Sequence, residues 1–266
     1  MRFTVNCSML FADRPLVARA AAARAAGFSA VEFWWPFNTA RPEMDEVRAF
    51  EDSISAAGVR LSSLNFWAGD MAAGERGVLS SAARSDEFRA SVQLAVQIGN
   101  RLGCRMFNAP YGNREAGVTI EDQDQVALEN LVYAARAVAA IDGVLLLEPL
   151  SGSPTYPLRT AEDVLEIAAR VTKITGLQNV RLLADLFHLA MNGCDVAAVI
   201  AQHVGQFGHI QIADAPQRGE PGTGKLPILD WLSMAAELGY DRMVSLEYRA
   251  LTGSPFAWLY DSGLWT

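Results

Sequence analysis

Short apolar runs recur along the chain, separated by longer segments in which apolar residues repeat with the period of a helix. A nearly continuous hydrophobic run of about four to eight residues is typical of a strand buried in a parallel sheet. Eight runs predict strands, at residues 3–6, 30–34, 59–66, 105–108, 144–148, 180–185, 209–213 and 244–248. Seven segments predict helices, at residues 15–26, 44–57, 85–102, 123–140, 161–175, 196–203 and 228–238.

Eight strands alternating with helices predict a closed parallel (β/α)8 barrel, the TIM barrel architecture. The length of 266 residues suits one such barrel, for which about 250 residues are typical. We therefore expect a single domain over residues 1–266. A doubly wound sheet is the alternative, but it calls for a glycine-rich phosphate turn after the first strand, and residues 6–10 (NCSML) do not form one.

Four of the predicted strands in the second half of the chain carry a polar side chain at or near the carboxyl end. These residues are Glu148, Asp185, Gln211 and Glu247, separated by 37, 26 and 36 residues, about one strand-plus-helix unit each. The carboxyl ends of barrel strands are where such enzymes place their chemistry. Oxygen-rich ligand sets suit Mg²⁺ or Mn²⁺, so these four residues predict a divalent metal site.

The three histidines do not favour zinc, which prefers more nitrogen and sulfur ligands. His188 follows Asp185 by three residues, and we expect it to reach a substrate oxygen. His209 lies two residues before Gln211 on the same face of its strand, where either substrate contact or a buried structural role is open. His203 lies on a predicted helix and is expected at the surface.

Two glutamates that flank a metal-bound hydroxycarbonyl compound can move a proton between its adjacent carbon atoms. Aldose–ketose isomerisation and ketose epimerisation both fit that chemistry. Two long loops, at residues 67–85 and 214–226, follow strands and combine glycine with arginine and acidic side chains. We expect them to fold over a small anionic substrate, with contacts from Glu75, Arg76 and Arg218.

Composition narrows the function classes further. A net charge of −8 gives no electrostatic reason to bind nucleic acid or an anionic membrane, and no apolar stretch reaches 18 residues. Three widely spaced cysteines make a disulfide framework improbable, and together these features predict a cytoplasmic protein. The apolar segment 256–259 and Trp265 predict packing across the barrel bottom or against a second subunit, as in a homo-oligomer.

Several motifs together resemble the hydroxypyruvate isomerase family, within the wider xylose-isomerase-like barrel superfamily. They are NCSMLF at residues 6–11, AGERG at 73–77, Glu148-Pro149, Asp185 with His188, GHIQIAD at 208–214, RGEPGTG at 218–224 and Glu247-Tyr248. The resemblance runs nearly end to end. It implies a metal-assisted isomerase of small hydroxy-oxo acids, with hydroxypyruvate and tartronate semialdehyde as the reacting pair.

The resemblance also implies roles for individual residues. Glu148 and Glu247 would transfer the proton, and the metal would be held by Glu148, Asp185, Gln211 and Glu247. His188 and Arg218 would contact the substrate. Ser151 stands where the family pattern has asparagine, and Lys225 stands where it usually has glutamate. These departures leave a four-carbon substrate open, as in the sister group that isomerises 2-oxo-tetronates.

Three other functions remain to be weighed. A ketose 3-epimerase shares the barrel and the metal set. A phosphodiesterase of the endonuclease type would need a histidine-rich zinc cluster and a basic groove, which three histidines and a net charge of −8 do not favour. A barrel that only binds a metabolite would more often have lost one of the carboxylates Glu148, Asp185 and Glu247, and all three are present.

Overall fold

The computed structural model describes residues 1–264, and its eight strands form one closed parallel barrel in sequential order, which confirms the predicted fold. The barrel closes where β8 pairs with β1, from Arg2 opposite Met243 to Val5 opposite Leu246. The strands are β1 Arg2–Asn6, β2 Ala30–Phe33, β3 Arg60–Asn65, β4 Met106–Asn108, β5 Val144–Leu147, β6 Val180–Asp185, β7 Phe207–Ile212 and β8 Met243–Leu246.

The helices surround the barrel and cover its outer face. They are α1 Leu16–Ala25, α2 Met44–Ala57, α3 Ser85–Leu102, α4 Ile120–Ala139, α5 Ala161–Thr175, α6 Leu186–Met191, α7 Val196–His203, α8 Ile228–Glu237 and α9 Ala257–Asp261. Thr119 and Thr160 cap α4 and α5 by accepting backbone N–H groups of the first turn. Gly103 ends α3 in the left-handed conformation, at φ 74°, which only glycine adopts without strain.

Strand and helix limits depart from the predicted ones in ways that matter for the site. Glu148 and Glu247 lie one residue beyond the ends of β5 and β8, on the loops that form the barrel mouth. The short helix α6 begins directly after Asp185 and was not predicted. Six residues are too few to show helical periodicity, so the pattern of apolar positions carries no signal for it.

The segment after β8 packs back onto the barrel through aromatic contacts. Phe256 lies 5.0 Å from Phe28 between ring centroids, and Trp258 meets Phe3 edge-to-face at 5.8 Å. Part of the expected apolar packing is therefore intramolecular, while Trp265 lies outside the described residues. None of the described helices has the length and hydropathy needed to cross a membrane.

Candidate active site

A cavity of about 480 Å³ opens at the carboxyl ends of the strands. The side chains at its base come from different strands and their following loops, as in enzymes of this architecture. The residues that line it are Met9, Trp34, Asn65, Ala68, Met71, Ala72, Arg76, Pro110, Glu148, Leu150, Ser151, Gly152, His188, Arg218, Glu247 and Arg249. Five of the predicted site residues therefore lie together in one cavity: Glu148, Glu247, His188, Arg218 and Arg76.

Glu148 is a buried carboxylate that faces the cavity just beyond β5. Its Oε2 accepts a hydrogen bond from Asn108 Nδ2, at 2.8 Å. Burial and the nearby charge of Asp185 raise the pKa of Glu148 to about 8, although Arg218 and Asn108 act in the opposite direction. The side chain can therefore hold a proton near neutral pH.

Glu247 lies beyond β8, three strands away from Glu148 around the barrel, and is also buried. Its Oε1 accepts hydrogen bonds from Trp34 Nε1 at 2.5 Å and Asn6 Nδ2 at 3.2 Å, and its Oε2 accepts one from Arg218 Nη2 at 2.9 Å. Burial raises the pKa of Glu247 well above its usual range, and Arg218 offsets only part of that effect. Both predicted proton-transferring residues thus favour the protonated form more than exposed glutamates do.

Asp185 is fully buried and caps α6. Its Oδ1 accepts the backbone N–H groups of Phe187 at 2.8 Å and His188 at 3.1 Å. Its Oδ2 lies 3.3 Å from Arg218 Nη2 and 3.6 Å from His188 Nε2, and both of these residues line the cavity. One carboxylate oxygen therefore holds the backbone, and the other remains directed toward the site.

The hydrogen bonds of His188 define which ring nitrogen carries its proton. Its Nδ1 lies 3.1 Å from the backbone nitrogen of Ser151 and 2.7 Å from Ser151 Oγ. A backbone N–H can only donate, so Nδ1 accepts and the ring proton of the neutral imidazole lies on Nε2. Burial lowers the pKa of His188 to about 4, which keeps the ring neutral. Nε2 is buried and has no hydrogen-bond partner in the described part of the chain, so an unused donor points into the site.

Gln211 belongs to a buried hydrogen-bond network that was not predicted from the sequence. Its Nε2 donates to Glu32 Oε1 at 2.8 Å, and Gln211 Oε1 is buried with no partner among residues 1–264. Glu32 also accepts hydrogen bonds from His209 Nε2 at 2.7 Å and from Asn6 Nδ2 at 3.0 Å. Burial alone would raise the pKa of Glu32, but the charge and hydrogen bonds of its partners hold it below the usual value. Glu32 thereby orients the amide of Gln211.

Arg218 lies on the loop after β7 in an unusual backbone conformation, with φ 57°. Such a left-handed conformation is strained for a residue other than glycine and is found often at functional sites. The backbone N–H of Arg249 donates to the carbonyl of Arg218 at 2.7 Å, and the guanidinium lies over the Phe187 ring, 5.5 Å from its centroid. These contacts hold the guanidinium between Asp185 and Glu247.

The donor set fits a divalent cation. Glu148, Asp185 and His188 offer ligand atoms that all lie within 4.8 Å of one another. Glu148, Asp185 and Glu247 are three buried carboxylates that share one half-buried arginine, Arg218. Repulsion among the carboxylates contributes to the raised pKa values of Glu148 and Glu247. A cation with two charges would compensate that excess of negative charge, and the Oε1 of Gln211, which has no partner among the described residues, offers a further oxygen.

Of the two ring nitrogens of His188, only Nε2 faces the carboxylates of Glu148 and Asp185. Because Nδ1 accepts the backbone N–H of Ser151, the ring proton lies on Nε2. A protonated nitrogen has no lone pair for a metal. The ring is therefore better suited to donate a hydrogen bond to a substrate oxygen than to complete the metal shell.

Of the substrate contacts predicted for the two long loops, Arg76 and Arg218 line the cavity and Glu75 does not. Glu75 lies outside the lining because its carboxylate pairs with Arg84 and accepts the backbone N–H of Asp70 within its own loop. His209 lies beneath the cavity, paired with Glu32, and Lys225 is exposed outside the lining residues.

A family model described as "Xylose isomerase-like TIM barrel" matches residues 20–262. The chain belongs to this family. A protein of Streptomyces coelicolor named "Putative hydroxypyruvate isomerase" is 48% identical over 265 residues, covering 97% of this chain and 95% of that protein. The 2-oxo-tetronate isomerase of Cupriavidus necator is 33% identical, with 97% of each chain covered. The resemblance to the hydroxypyruvate isomerases is therefore confirmed.

Solved structures of the xylose isomerase-like family agree in fold. A Brucella melitensis protein described as an AP endonuclease of family 2 superposes with a TM-score of 0.87, at 30% identity, covering 98% of both chains. In this chain the site holds carboxylates rather than the histidine-rich cluster that the endonuclease hypothesis requires. Within residues 1–264, no group of three or more histidines, cysteines and acids other than Glu148, Asp185 and His188 could hold a metal.

Five polar residues that the barrel brings to the site were not predicted: Asn6, Glu32, Asn65, Asn108 and Arg249. Asn6 and Asn108 end β1 and β4, so the rule that selected Glu148 and Glu247 applies to them equally. Glu32 is a single acid within a buried apolar strand, which is costly without partners and is itself a signal. Arg249 follows the last strand in an exposed loop and carries no such signal.

Proposed function

We propose that this protein is a metal-assisted isomerase that interconverts a small 2-oxo acid bearing a neighbouring hydroxyl group with its aldehyde or ketose isomer. Hydroxypyruvate and tartronate semialdehyde are the pair that fits its relatives best, and a four-carbon 2-oxo-tetronate is the second candidate. The names of the two relatives support both. The observation that carries the proposal is a pair of buried glutamates, Glu148 and Glu247, in one cavity with raised pKa values.

The two glutamates would act as acid and base in turn. One glutamate, ionised, removes a proton from the hydroxyl-bearing carbon, and an enediolate forms across the two carbons. The other glutamate, protonated, delivers its proton to the neighbouring carbon, while the hydroxyl proton passes to the former carbonyl oxygen. A raised pKa suits this exchange because each carboxyl must hold a proton in one direction of the reaction.

Glu148, Asp185, Gln211 and Glu247 would hold the metal, and the oxygen-only donor set favours Mg²⁺ or Mn²⁺. When bound, such an ion supplies Lewis-acid stabilisation of negative charge on the substrate oxygens. His188 Nε2 donates a hydrogen bond to a substrate oxygen. Arg218 stays between Asp185 and Glu247 and keeps the latter in place.

Arginine at the cavity favours an acid over a neutral sugar as the substrate. Arg76 and Arg249 line the cavity, and neither forms an ion pair within the described part of the chain. Arg76 donates through Nη1 to the carbonyls of Met71 and Glu75, which leaves its other nitrogens available. A guanidinium matches a carboxylate in geometry as well as in charge. A ketose 3-epimerase would have no use for these charges.

The test is proton transfer in deuterated water. The Mg²⁺- or Mn²⁺-loaded protein is incubated with hydroxypyruvate, and deuterium incorporation and product formation are followed by NMR against a protein-free control. We expect exchange at the substrate carbons, and a loss of about 100-fold or more in Glu247→Gln, because general acid–base groups contribute about 10²–10⁴-fold. Glu51→Gln removes a carboxylate on α2 that pairs with Arg101, far from the site, and should retain turnover.

A substrate panel distinguishes the alternatives. Hydroxypyruvate, a four-carbon 2-oxo-tetronate and free ketoses are compared in one preparation by kcat/KM. Full activity of Glu247→Gln would contradict the two-glutamate mechanism. A preference for free ketoses would contradict the acid substrate and favour the epimerase.

A further inference from the structure

Four arginines gather at the opposite end of the barrel from the candidate active site. Arg2 and Arg60 are the first residues of β1 and β3, and Arg105 and Arg242 directly precede β4 and β8. All four line one cavity of about 250 Å³ in the barrel floor. We call these four residues the floor arginines. They come from separate parts of the chain and meet only because the barrel closes.

The floor arginines are not neutralised by protein carboxylates. Among the ion pairs formed by residues 1–264, none includes a floor arginine. In a chain with eight more acidic than basic residues, four unpaired guanidinium groups around one cavity are unexpected. Like charges held close together repel one another unless an anion lies between them.

Most of their hydrogen-bond donors are also unused. Arg2 donates to the carbonyl of Asp241 at 2.8 Å, and Arg105 Nη1 donates to the carbonyls of Gly99 and Cys104. Arg60 Nη2 reaches across the floor to Met243 Sδ at 2.9 Å, although a thioether is a weak acceptor. Each guanidinium has five N–H donors, so most of them remain available to a ligand.

The cavity extends inward as far as His209, so it is a recess rather than a flat surface patch. The Ser62 hydroxyl also lines the recess but donates to the carbonyl of Val31 at 2.9 Å, so the free donors are those of the arginines. A recess with several guanidinium donors suits a compact oxyanion with two charges, since arginine binds phosphate through paired hydrogen bonds.

We propose that the barrel floor binds a phosphate dianion, either inorganic phosphate or the phosphoryl group of a small metabolite, through the floor arginines. The site is separate from the candidate active site, which opens at the other end of the strands. Arg2 and Arg60 are exposed, so the anion enters from solvent. Arg105 and Arg242 are half-buried and close the recess from within.

The test is isothermal titration calorimetry of the Mg²⁺-loaded protein at pH 8 and low salt, with inorganic phosphate in one arm and glycerol 3-phosphate in the other. Arg242→Gln is the first variant, because its side chain forms no hydrogen bond or ion pair with residues 1–264. Arg60→Gln/Arg242→Gln is the second. Arg136→Gln/Arg170→Gln is the matched control, which removes two exposed arginines from the outer helices α4 and α5.

We expect phosphate affinity to fall about tenfold in Arg242→Gln and further in the double variant, because charge-assisted hydrogen bonds are lost. The control should stay within about twofold of the parent protein, and acetate should not compete. Stronger binding of glycerol 3-phosphate than of inorganic phosphate would identify the metabolite form, and the reverse would identify the free ion. Absence of phosphate binding, or equal affinity in the parent and both floor variants, would overturn the proposal.

Discussion

Replacing Glu32 by glutamine tests whether this buried residue orients Gln211 toward the metal. Glu32 Oε1 accepts from Gln211 Nε2 at 2.8 Å and from Asn6 Nδ2 at 3.0 Å, while Oε2 accepts from His209 Nε2 at 2.7 Å. In the variant, an amide NH2 group at the Oε1 position would face two N–H donors, those of Gln211 and Asn6, whereas at the Oε2 position it would face only that of His209. The amide oxygen therefore takes the Oε1 position, and Gln211 keeps a neutral acceptor in place of a charged one.

The magnitude follows from that change of acceptor. A hydrogen bond to a charged group contributes about 1.5–3 kcal/mol, against about 0.5–1.5 kcal/mol for a neutral pair. The difference, about 1–1.5 kcal/mol for Gln211, corresponds to about a tenfold loss of metal affinity. Mutating a residue that hydrogen-bonds to a metal ligand typically lowers metal affinity about 10–100-fold, so the value expected here lies at the lower end of that range.

The assay is titration with Mn²⁺, with free ion followed by electron paramagnetic resonance, together with a thermal melt of each variant. Glu51→Gln is the matched control, because Glu51 is also buried and accepts from Arg101 Nε at 2.7 Å, but it lies outside the barrel. We expect the control to bind Mn²⁺ within about twofold of the parent. Parent-like Mn²⁺ affinity in a folded Glu32→Gln protein would refute the proposed orientation of Gln211.

Three further predictions concern other parts of the site. Ser151→Ala should lower kcat/KM about three- to tenfold at nearly constant Tm, because His188 loses one hydrogen bond and keeps the other; an unchanged kcat/KM would contradict this. Asp214 accepts hydrogen bonds from four backbone N–H groups of its loop. Asp214→Asn should therefore displace Arg218 and raise KM about tenfold, and a fall in kcat with unchanged KM would contradict this prediction. In the metal-free protein, burial raises the pKa of Glu148 from the usual 4.5 to about 8. The protonated side chain therefore contributes fully to stability below about pH 4.5, and this contribution is lost as pH rises through 8. The free energy of unfolding of the metal-free protein should therefore fall over this pH range, and a free energy that rises over the same range would contradict the prediction.

The order of elements could be predicted from the sequence because it depends on local patterns. A buried parallel strand is apolar over consecutive positions, and a helix repeats its apolar face every three to four residues. Limits were accurate within one or two residues for most elements, while the six-residue α6 is shorter than those patterns can reveal. The rule that chemistry lies at strand ends selected Glu148 and Glu247, since that rule also depends only on position along the chain.

The contacts that give these residues their properties arise only in the tertiary structure. Glu32 and Gln211 are 179 residues apart and become partners only when β2 and β7 take their places in the closed barrel. The same closure gathers the floor arginines. The proton on His188 depends on Ser151, 37 residues earlier, and Glu75 turns to Arg84 within its loop instead of the cavity. The sequence by itself thus determined that five side chains reach the barrel mouth, those of Glu148, Glu247, His188, Arg76 and Arg218. Their pKa values, hydrogen-bond directions and unused donors were decided by packing, because burial and distance exist only after the strands are in register.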